Sequence, residues 1–360
     1  MMRAALALAR RSLGRTWPNP AVGCVIVKDG KIVGRGRTRD GGRPHAEVDA
    51  LKQAGEAARG ATVYVTLEPC SHFGKSPPCA DALIKAGIVK VVSAMEDPNP
   101  EVHGRGHARL KEAGIVVEVG DSAKEAAEIN AGFLMRIRDG RPLFHLKLAT
   151  SLDGHIATAS GESKWITGEA ARADGHRLRA IHDAVLVGIG TVAADDPDLT
   201  SRLPGLAAYS PIRIVLDSKA RLAQSSKLAM TARETPVWLL CTRAAPAAAR
   251  AALHESGVDV IDIAADPSRR IDIAAAAREL GQRGLTRVLI EGGGAVAAAF
   301  LKANLVDRLS LYHGGRALGS DSRSAIGALG LQKLDFAPRF SLVSSRVVGG
   351  DTLETWRRGA

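Results

Sequence analysis

The stretch TVYVTLEPCSHFGKSPPCADALIKAG, residues 62–87, decides how the first half of the chain folds. Its opening TVYVTL, residues 62–67, is an apolar run that predicts a buried strand. Its end ADALIKAG, residues 80–87, predicts a helix. The loop between them carries Cys70 and Cys79 among Pro, Ser, His and Gly. The stretch therefore predicts a strand, a cysteine loop and a helix in succession.

The same alternation continues on both sides of this stretch. Apolar runs at 21–27 and 31–36 predict a hairpin with a tight turn at Asp29–Gly30. The further predicted elements are a helix at 45–55 that Gly55 ends, a strand at 89–95, a helix at 104–114, a strand at 115–120 and one helix at 122–136. Strands that alternate with helices at this spacing indicate a layered α/β domain with a largely parallel sheet.

A polar segment, RIRDGRP at 136–142, separates this region from the rest of the chain. We therefore expect two domains, 1–140 and 141–360. The second shows its own alternation, with strands at 143–150, 184–190, 212–218, 237–241, 258–263, 287–294 and 308–315, and with helices near 169–182, 246–255, 270–283 and from Ala295. Runs at 340–348 and 352–358 predict a closing antiparallel pair. The two halves share no motif, which argues against a repeat.

Composition narrows the class of protein. The chain has 360 residues, 46% hydrophobic and 24% charged, which is globular composition for two domains of ordinary size. No apolar run reaches the roughly 18 residues of a membrane span. The net charge of +11 is diffuse and only 4% of residues are aromatic, so a nucleic-acid partner is not expected. A diffuse positive field suits a small anionic substrate.

The N-terminus MMRAALALARRSLGR is basic and amphipathic, as a transit peptide would be. The segment from Trp17 onward already has the character of folded sequence, which leaves almost nothing to cleave. We therefore expect a cytoplasmic protein. We also expect a homo-oligomer, a dimer or a tetramer.

Three residues have the pattern of a catalytic zinc site. His45 opens a predicted helix, and Cys70 and Cys79 follow about two dozen residues later. One imidazole and two thiolates leave the fourth tetrahedral position of Zn²⁺ for water. Glu47, one helical step past His45, can carry protons without binding the metal. H-x-E followed by P-C is the signature of zinc nucleobase deaminases, although here the cysteines are spaced C-x8-C rather than C-x-x-C. A structural zinc would need a fourth ligand, for which His72 is the spare candidate.

Four segments of the first half, PNPAVGCVIV, HAEVDAL, TLEPCSHFGKSPPCADALI and DPNPEVHGRG, resemble the deaminase half of the bifunctional riboflavin-biosynthesis deaminase/reductase family. The resemblance implies a cytidine-deaminase-like three-layer domain. It also implies that a phosphoribosylated pyrimidine is the substrate. The residues it implies as substrate contacts are Asn19, His72, Lys75, Asp97 and Asn99.

The second half is similar to the reductase half of that family in KLATSLDGHIA, ASGESKWITG, GIGTVAADDPDLTSR, IRIVLDS and RVLIEGGGAVAAAFL. The resemblance implies a dihydrofolate-reductase-like α/β domain that uses NADPH. The implied NADPH contacts are Ala149, Trp165, Thr191, Asp195, Ser218, Gly293, Gly294, Ala295, Val296, Ala297, Ala298 and Ala299. The implied substrate contacts are Ser163, Arg179, Leu199, Arg202 and Glu291. Lys147 and Asp195 are implied to lie near the ribose that is reduced.

Two features of the second half, and two alternative functions, bear on the interpretation of the sequence. Asp217 precedes Ser218, and an acidic residue at a strand end is the usual partner of an unphosphorylated ribose, which would favour NADH. The family usually has a proline in the strand where this chain has LYHGGRALG, so the wall of the cofactor cleft is expected to differ. The alternative functions are a tRNA or nucleoside deaminase with an accessory domain, and a non-catalytic paralogue.

Overall fold

The structure, a computed structural model, describes residues 1–73, 77–100 and 102–359. The chain divides into two units between Gly140 and Arg141, inside the polar segment 136–142. Among the described residues, no helix combines the length and the apolar character that crossing a bilayer requires.

The first unit is built on a five-stranded sheet. Its strands are β1 (Gly23–Lys28), β2 (Lys31–Arg37), β3 (Thr62–Val65), β4 (Lys90–Ser93) and β5 (Val116–Val119). Its helices are α1 (Met2–Arg10), α2 (Ala46–Ala54), α3 (Cys79–Lys85), α4 (Arg105–Glu112), α5 (Ala123–Ile129) and α6 (Ala131–Asp139). The strand order is β2-β1-β3-β4-β5. The parallel part that the alternation predicts is β3 to β5, and the β1–β2 hairpin adds an antiparallel part.

Both faces of this sheet are covered, because successive side chains of a strand point to opposite faces. Cys24 and Ile26 of β1 belong to a core that includes residues of α2, α3 and α4. Val25, between them in sequence, belongs to a second core that includes residues of α1 and α5. Helices, sheet and helices therefore form the three layers that the family resemblance implies.

Helix α2 lies unusually close to β2, and this contact places its first turn. A Cβ atom built on Gly36 of β2 would be 2.0 Å from the carbonyl oxygen of Ala46. No side chain larger than hydrogen fits there. His45 directly precedes the helix in an extended conformation as its N-cap. The position of His45 is therefore fixed by a strand–helix contact that only glycine permits.

One predicted helix is two helices in the structure. The sequence predicts a single helix at 122–136, but α5 ends at Ile129 and α6 begins at Ala131. The backbone leaves the helical region at Asn130, with a φ of −94° and a ψ of 12°. The Asn130 side chain bonds to the chain before β1: its Oδ1 accepts from the N–H of Ala21 at 2.8 Å, and its Nδ2 donates to the Ala21 carbonyl at 3.1 Å. These two hydrogen bonds fix the segment that leads into β1.

The second unit is built on a nine-stranded sheet and a small two-stranded ribbon. Its strands are β6 (Leu143–Thr150), β7 (His155–Ala157), β8 (Ala184–Gly188), β9 (Ile212–Leu216), β10 (Val237–Thr242), β11 (Asp259–Ile263), β12 (Arg287–Ile290), β13 (Arg308–His313), β14 (Arg323–Ser324), β15 (Phe340–Val348) and β16 (Asp351–Arg358). Its helices are α7 (Glu169–Ala180), α8 (Ile189–Asp195), α9 (Lys227–Met230), α10 (Ala247–Glu255), α11 (Ile273–Gln282) and α12 (Gly294–Lys302).

The order of the large sheet is β11-β10-β9-β8-β12-β6-β13-β16-β15, and the ribbon pairs β14 with β7. The strands from β11 to β13 are parallel, and β16 and β15 are antiparallel, as the sequence predicts for the closing pair. Strand β8 is buried along its whole length, as expected for a central parallel strand covered on both faces. Parallel strands end at one edge of a sheet, and ligands bind there in open α/β folds.

Candidate functional site

In the first unit, His45, Cys70 and Cys79 come together. The His45 Nδ1 atom lies 3.6 Å from the Cys70 sulfur and 3.3 Å from the Cys79 sulfur. All three ligand atoms are within 4.8 Å of one another. The backbone N–H of Cys79, at the first turn of α3, donates to the Cys70 sulfur at 3.3 Å. The segment that follows β3 and the first turn of α3 thus bring two thiols to the imidazole of His45, the N-cap of α2.

These three atoms fit the requirements of a zinc ion. Zinc bonds of about 2.3 Å to sulfur and about 2.0 Å to nitrogen put tetrahedral ligands about 3.5 to 3.8 Å apart. The two distances from the imidazole, 3.6 and 3.3 Å, are close to such edges. The hydrogen bond between the two sulfur atoms lowers the pKa of Cys70 to about 4 and raises the pKa of Cys79, so without metal Cys70 carries the thiolate charge and Cys79 donates to it. The spacing and the donor chemistry therefore agree with three ligands of a catalytic zinc.

Glu47 is buried beside this cluster. It lies in the first turn of α2 and is only 4% exposed. Burial, followed by the charge of Cys70, raises the pKa of Glu47 to about 7. A carboxyl group with a pKa near neutrality can both accept and donate a proton. The structure therefore places a buried carboxyl group that can exchange protons next to the predicted metal ligands, and its role as the proton carrier stays a prediction.

Glu68 is a residue of this site that the sequence reasoning missed. Its side chain is completely buried. One carboxylate oxygen accepts from the N–H groups of Asp97 and Gly104, at 3.1 and 3.0 Å. The other accepts from those of Gly106 and His107, at 2.8 and 3.1 Å. Its place at the end of a buried strand, directly before Pro69 and Cys70, is the signal that could have identified it.

Glu68 thereby holds Asp97 and residues 104–107 against the segment that carries Cys70, which we call the metal loop. The packing is close: a Cβ atom on Gly106 would be 1.9 Å from the carbonyl oxygen of Pro69. Asp97, one of the implied substrate contacts, is 6% exposed. Burial raises the pKa of Asp97 to about 6, and the charges of Cys70 and His72 act on the same carboxyl group. Asp97 therefore lies within electrostatic reach of the metal loop.

The other implied substrate contacts of the first unit have varied positions. Asn99 is half-buried, and its N–H donates to Asp97 at 2.9 Å. Asn19 is half-buried and follows a turn in which its N–H donates to the carbonyl of Thr16. His72 is exposed in the cysteine loop. Lys75 lies outside the described residues.

The second unit contains a cavity of about 2150 Å³ at the carboxyl edge of its parallel strands. Residues at the ends of β6, β8, β9, β10 and β12 line it, including Ala149, Gly188, Ser218, Thr242 and Glu291. The position agrees with the general location of ligand sites in open parallel sheets.

Most of the implied NADPH contacts line this cavity. The lining residues among them are Ala149, Thr191, Asp195, Ser218, Gly293, Gly294, Ala295, Val296, Ala298 and Ala299. The N–H of Gly293 donates to the Thr191 hydroxyl at 3.3 Å, which ties the glycine turn to α8. Ala297 is buried in the core and Trp165 is 60% exposed, and neither lines the cavity. Instead, the guanidinium of Arg172 lies 4.6 Å from the centre of the Trp165 ring.

The implied substrate contacts of the second unit divide in the same way. Ser163 and Glu291 line the cavity, whereas Arg179, Leu199 and Arg202 do not. Arg179 donates two hydrogen bonds to Glu291, at 2.7 and 2.9 Å, and this pairing lowers the pKa of Glu291 despite its burial. The side chain of Leu199 is packed in a hydrophobic core, which leaves its backbone for contacts. Arg202 is exposed and pairs with Asp198 at 2.8 Å.

Lys147 and Asp195 both line the cavity. Burial lowers the pKa of Lys147, and the charge of Glu291 opposes this shift. The Lys147 Nζ atom lies 5.5 Å from the centre of the Tyr312 ring, and the Tyr312 hydroxyl donates to Asp174 at 2.7 Å. Tyr312 is a second residue that sequence reasoning missed, because nothing in its local sequence marks it as a neighbour of Lys147. Asp195 ends α8 and is exposed at the cavity.

Comparison with known protein families assigns both units. Residues 1–95 match the cytidine and deoxycytidylate deaminase zinc-binding region. Residues 142–353 match the RibD C-terminal domain. Each family model falls on one of the two units of the structure.

Full-length relatives show the same combination. The riboflavin biosynthesis protein RibD of Escherichia coli is 46% identical over 365 residues, which cover 97% of this chain and 96% of that protein. The solved structure of RibD from Acinetobacter baumannii has 41% identity and a TM-score of 0.89, and covers 99% of this chain and 98% of that one. A diaminohydroxyphosphoribosylaminopyrimidine deaminase/5-amino-6-(5-phosphoribosylamino)uracil reductase from Thermotoga maritima has 34% identity and a TM-score of 0.86, with coverages of 99% and 97%.

Proposed function

Because the chain belongs to the RibD family of bifunctional riboflavin-biosynthesis enzymes, we propose that residues 1–140 carry its deaminase and residues 141–360 its reductase. The protein is an enzyme with both activities and uses zinc and NADPH. The observation that carries the deaminase is the cluster of His45, Cys70 and Cys79 with Glu47 buried beside it. The substrates are phosphoribosylated pyrimidines, as the name of the Thermotoga maritima relative states for that protein.

In the deaminase step, water replaces an amino group of 2,5-diamino-6-(5-phosphoribosylamino)pyrimidin-4-one. When bound by His45, Cys70 and Cys79, zinc supplies a Lewis acid that allows water to ionise near neutral pH. A carbon–oxygen bond forms, the carbon–nitrogen bond breaks and ammonia leaves. Glu47 takes a proton from the attacking water and delivers it to the leaving nitrogen, which a pKa near 7 permits in both directions.

Substrate recognition in this unit is assigned to Asn19, His72, Lys75, Asp97 and Asn99. The burial of Asp97 and its electrostatic proximity to Cys70 support its role, because both place it at the metal loop. The exposure of His72 in that loop suits contact with a phosphate group, which is solvated until the substrate binds.

In the reductase step, the ribosyl group of 5-amino-6-(5-phosphoribosylamino)uracil becomes a ribityl group: a carbon–hydrogen bond forms at C1′, the bond from C1′ to the ring oxygen breaks, and that oxygen takes up a proton. When bound, NADPH supplies the hydride. The buried ammonium group of Lys147 can donate a hydrogen bond to a sugar oxygen, and Asp195 lies in the same cavity. Ser163 and Glu291 contact the substrate from the cavity wall, and Arg179 acts through its two hydrogen bonds to Glu291.

The remaining implied contacts of the reductase do not line the cavity, so a different kind of contact is assigned to each of them. The backbone of Leu199 is its available contact group, because its side chain is in the core. Arg202 and Trp165 are exposed, so contact with a ligand requires them to approach the cavity when it binds. Ala297 is fully buried, and its N–H donates to the carbonyl of Gly293 at 3.2 Å, so it acts by holding the glycine turn.

The setting of the enzyme is also proposed. A cytoplasmic location, with small molecules rather than nucleic acid or membrane as partners, agrees with the composition of the chain. A homo-oligomer, dimer or tetramer, is supported by the outermost strand of the large sheet, β15. Leu342, Val343 and Val347 on it are more than half exposed, and an edge strand offers unpaired backbone groups.

Separate assays of the full-length enzyme test the assignment. Glu47→Gln should abolish ammonia release and leave NADPH oxidation with the deaminated substrate unchanged, because an amide cannot shuttle protons. Lys147→Met should abolish NADPH oxidation and leave ammonia release unchanged. Glu56→Gln and Lys52→Met, at exposed positions of the first unit, are the matched controls. If either active-site variant lost both activities while remaining folded, the assignment of one reaction to each unit would be wrong.

A further inference from the structure

One end of the reductase cavity is formed by two segments that are distant in sequence. The Ser218 hydroxyl, just after β9, accepts from the N–H of Ile271 at 3.2 Å. The Thr242 hydroxyl at the end of β10 donates to the Ser218 carbonyl at 2.9 Å. The turn that precedes Ile271, residues 266–270, therefore lies next to the end of β9. Most residues of both segments line the cavity.

This end of the cavity is rich in cations. Lys219, Arg221, Arg269 and Arg270 all line it, and all are exposed to solvent. Arg221 lies 3.4 Å from the Asp217 carboxylate. Within the described part of the chain, Lys219 and Arg269 form no ion pair, and Arg270 acts electrostatically on Asp266. Cations without a fixed partner are available to an anionic ligand.

The carboxylates of the same region are directed to backbone groups. Asp217 is completely buried and accepts from the N–H groups of Arg221 and Leu222. The Asp217 carboxylate therefore stabilises the turn after β9. Because it is used in this way, it is not available to bind a ribose hydroxyl, which is the role that its place at a strand end suggests. Two other acids line the cavity at this end: Asp266 accepts from the Ser268 hydroxyl and the N–H of Arg270, and Asp272 caps α11.

The turn that presents the two arginines has a defined shape. The N–H of Asp266 donates to the Arg270 carbonyl at 2.7 Å, and the N–H of Arg269 donates to the Asp266 carbonyl at 2.9 Å. Ala265 and Ile271 form a β-bridge at its base. Arg269 has a φ of 61°, in the left-handed region that is unfavourable for side chains other than glycine. Such local strain is often found at ligand sites.

The separation from the reacting end suits an extended dinucleotide. Lys147 is on β6, and β9 is three strands away in the order β9-β8-β12-β6. Three strand spacings amount to about 14 Å. The glycine turn after β12 lies between the two ends, where a pyrophosphate is bound in dinucleotide sites. The cationic end is therefore where the adenosine part of the cofactor would lie.

We propose that Lys219, Arg269 and Arg270 bind the 2′-phosphate of NADPH, and that they make the enzyme prefer NADPH to NADH. The proposal rests on the reductase function proposed for residues 141–360. The Ser218 hydroxyl contributes through the hydrogen bond that positions the turn. Arginine and lysine side chains supply the charge-assisted hydrogen bonds that a phosphate dianion requires.

Binding of dinucleotides to the full-length protein tests the proposal without turnover. Calorimetry would compare NADP⁺ with NAD⁺, and 2′,5′-ADP with 5′-AMP. Arg269→Ala/Arg270→Ala should weaken NADP⁺ and 2′,5′-ADP by about 10- to 100-fold and leave NAD⁺ and 5′-AMP unchanged. Arg269→Lys/Arg270→Lys keeps both positive charges and should therefore retain most of the affinity for NADP⁺. Arg278→Ala, at an exposed position of α11 outside the cavity lining, is the matched control.

Two outcomes would overturn the proposal. The first is unchanged NADP⁺ affinity in the double alanine variant. The second is an equal loss of affinity for NADP⁺ and NAD⁺, which would show that the arginines maintain the shape of the cavity but do not bind the 2′-phosphate. A failure of the reductase assignment has a different signature, because the unmodified protein would then bind neither dinucleotide.

Discussion

Replacement of Glu68 should damage the deaminase even though Glu68 is neither a predicted metal ligand nor a proton carrier. The carboxylate accepts four backbone N–H groups, two on each oxygen. In Glu68→Gln one oxygen remains, and the new amide group faces two donors that lose their acceptor. A buried donor without a partner costs about 1 to 3 kcal/mol. The substitution should therefore destabilise the packing of Asp97 and residues 104–107 against the metal loop by about 2 to 6 kcal/mol.

The consequence should be visible in the deaminase alone. Total domain stability is about 5 to 15 kcal/mol, so a loss of this size loosens the segment that carries Asp97 before it unfolds the unit. We expect kcat/KM for ammonia release to fall by at least tenfold, with NADPH oxidation unchanged. Hydrogen exchange of the amides of Gly104, Gly106 and His107 should become faster.

Glu112→Gln is the matched control, because Glu112 is exposed at the end of α4 and takes no part in the hydrogen bonds of Glu68. It should change neither exchange nor ammonia release. If Glu68→Gln left the amide exchange rates and the deaminase kcat/KM at their original values, the four hydrogen bonds would not be what holds the segment in place.

Three further predictions concern the zinc content, the independence of the two units and the titration of the buried His182. Cys70→Ser and Cys79→Ser should each lower the zinc content from about one ion per chain, measured by elemental analysis, because a hydroxyl is a much poorer zinc ligand than a thiolate; full zinc occupancy in both would contradict the ligand assignment. Cutting the chain between residues 140 and 141 should give one fragment that releases ammonia and another that oxidises NADPH; two folded fragments of which the reductase works only with the deaminase present would refute this. Burial lowers the pKa of His182 to about 3, from about 6.5 in an unfolded chain, so the unfolded state takes up a proton first as pH falls. The free energy of unfolding of residues 141–360 should therefore decrease below pH 6.5, by about 1.4 kcal/mol per pH unit for this group, and denaturant titrations should show a correspondingly shallower decrease for His182→Gln. An identical pH dependence in that variant would show that the group does not titrate in this way.

The zinc cluster was predictable because its chemistry is encoded locally. His45 and Glu47 are two residues apart, and Cys70 and Cys79 bracket one loop, so residue type and spacing alone indicate a metal and a proton carrier. The α/β architecture was predictable for a similar reason, since apolar runs and helical segments alternate in the order in which the strands and helices occur.

The features that escaped sequence reasoning depend on contacts between distant residues. Glu68 is identified by four amides that lie 29 to 39 positions further along the chain. The cationic end of the cavity joins Ser218 to Ile271, 53 positions away. Leu199 has the sequence position of a contact residue, but its side chain packs in the core, and its backbone there adopts a φ of 56°. No local pattern encodes these distances, because the fold itself creates them.

Asn130 shows how a residue that takes no part in either reaction can still be irreplaceable. Its amide offers one acceptor and one donor to the two backbone groups of Ala21, and so takes the place that a neighbouring strand would have. Aspartate lacks the donor, leucine lacks both groups, and glutamine is one carbon too long for the same geometry. In a library of all single substitutions, we expect position 130 to be depleted as strongly as a catalytic position. Mutational intolerance there would report on the anchoring of the chain before β1, and a survey that equated intolerance with catalysis would misassign it.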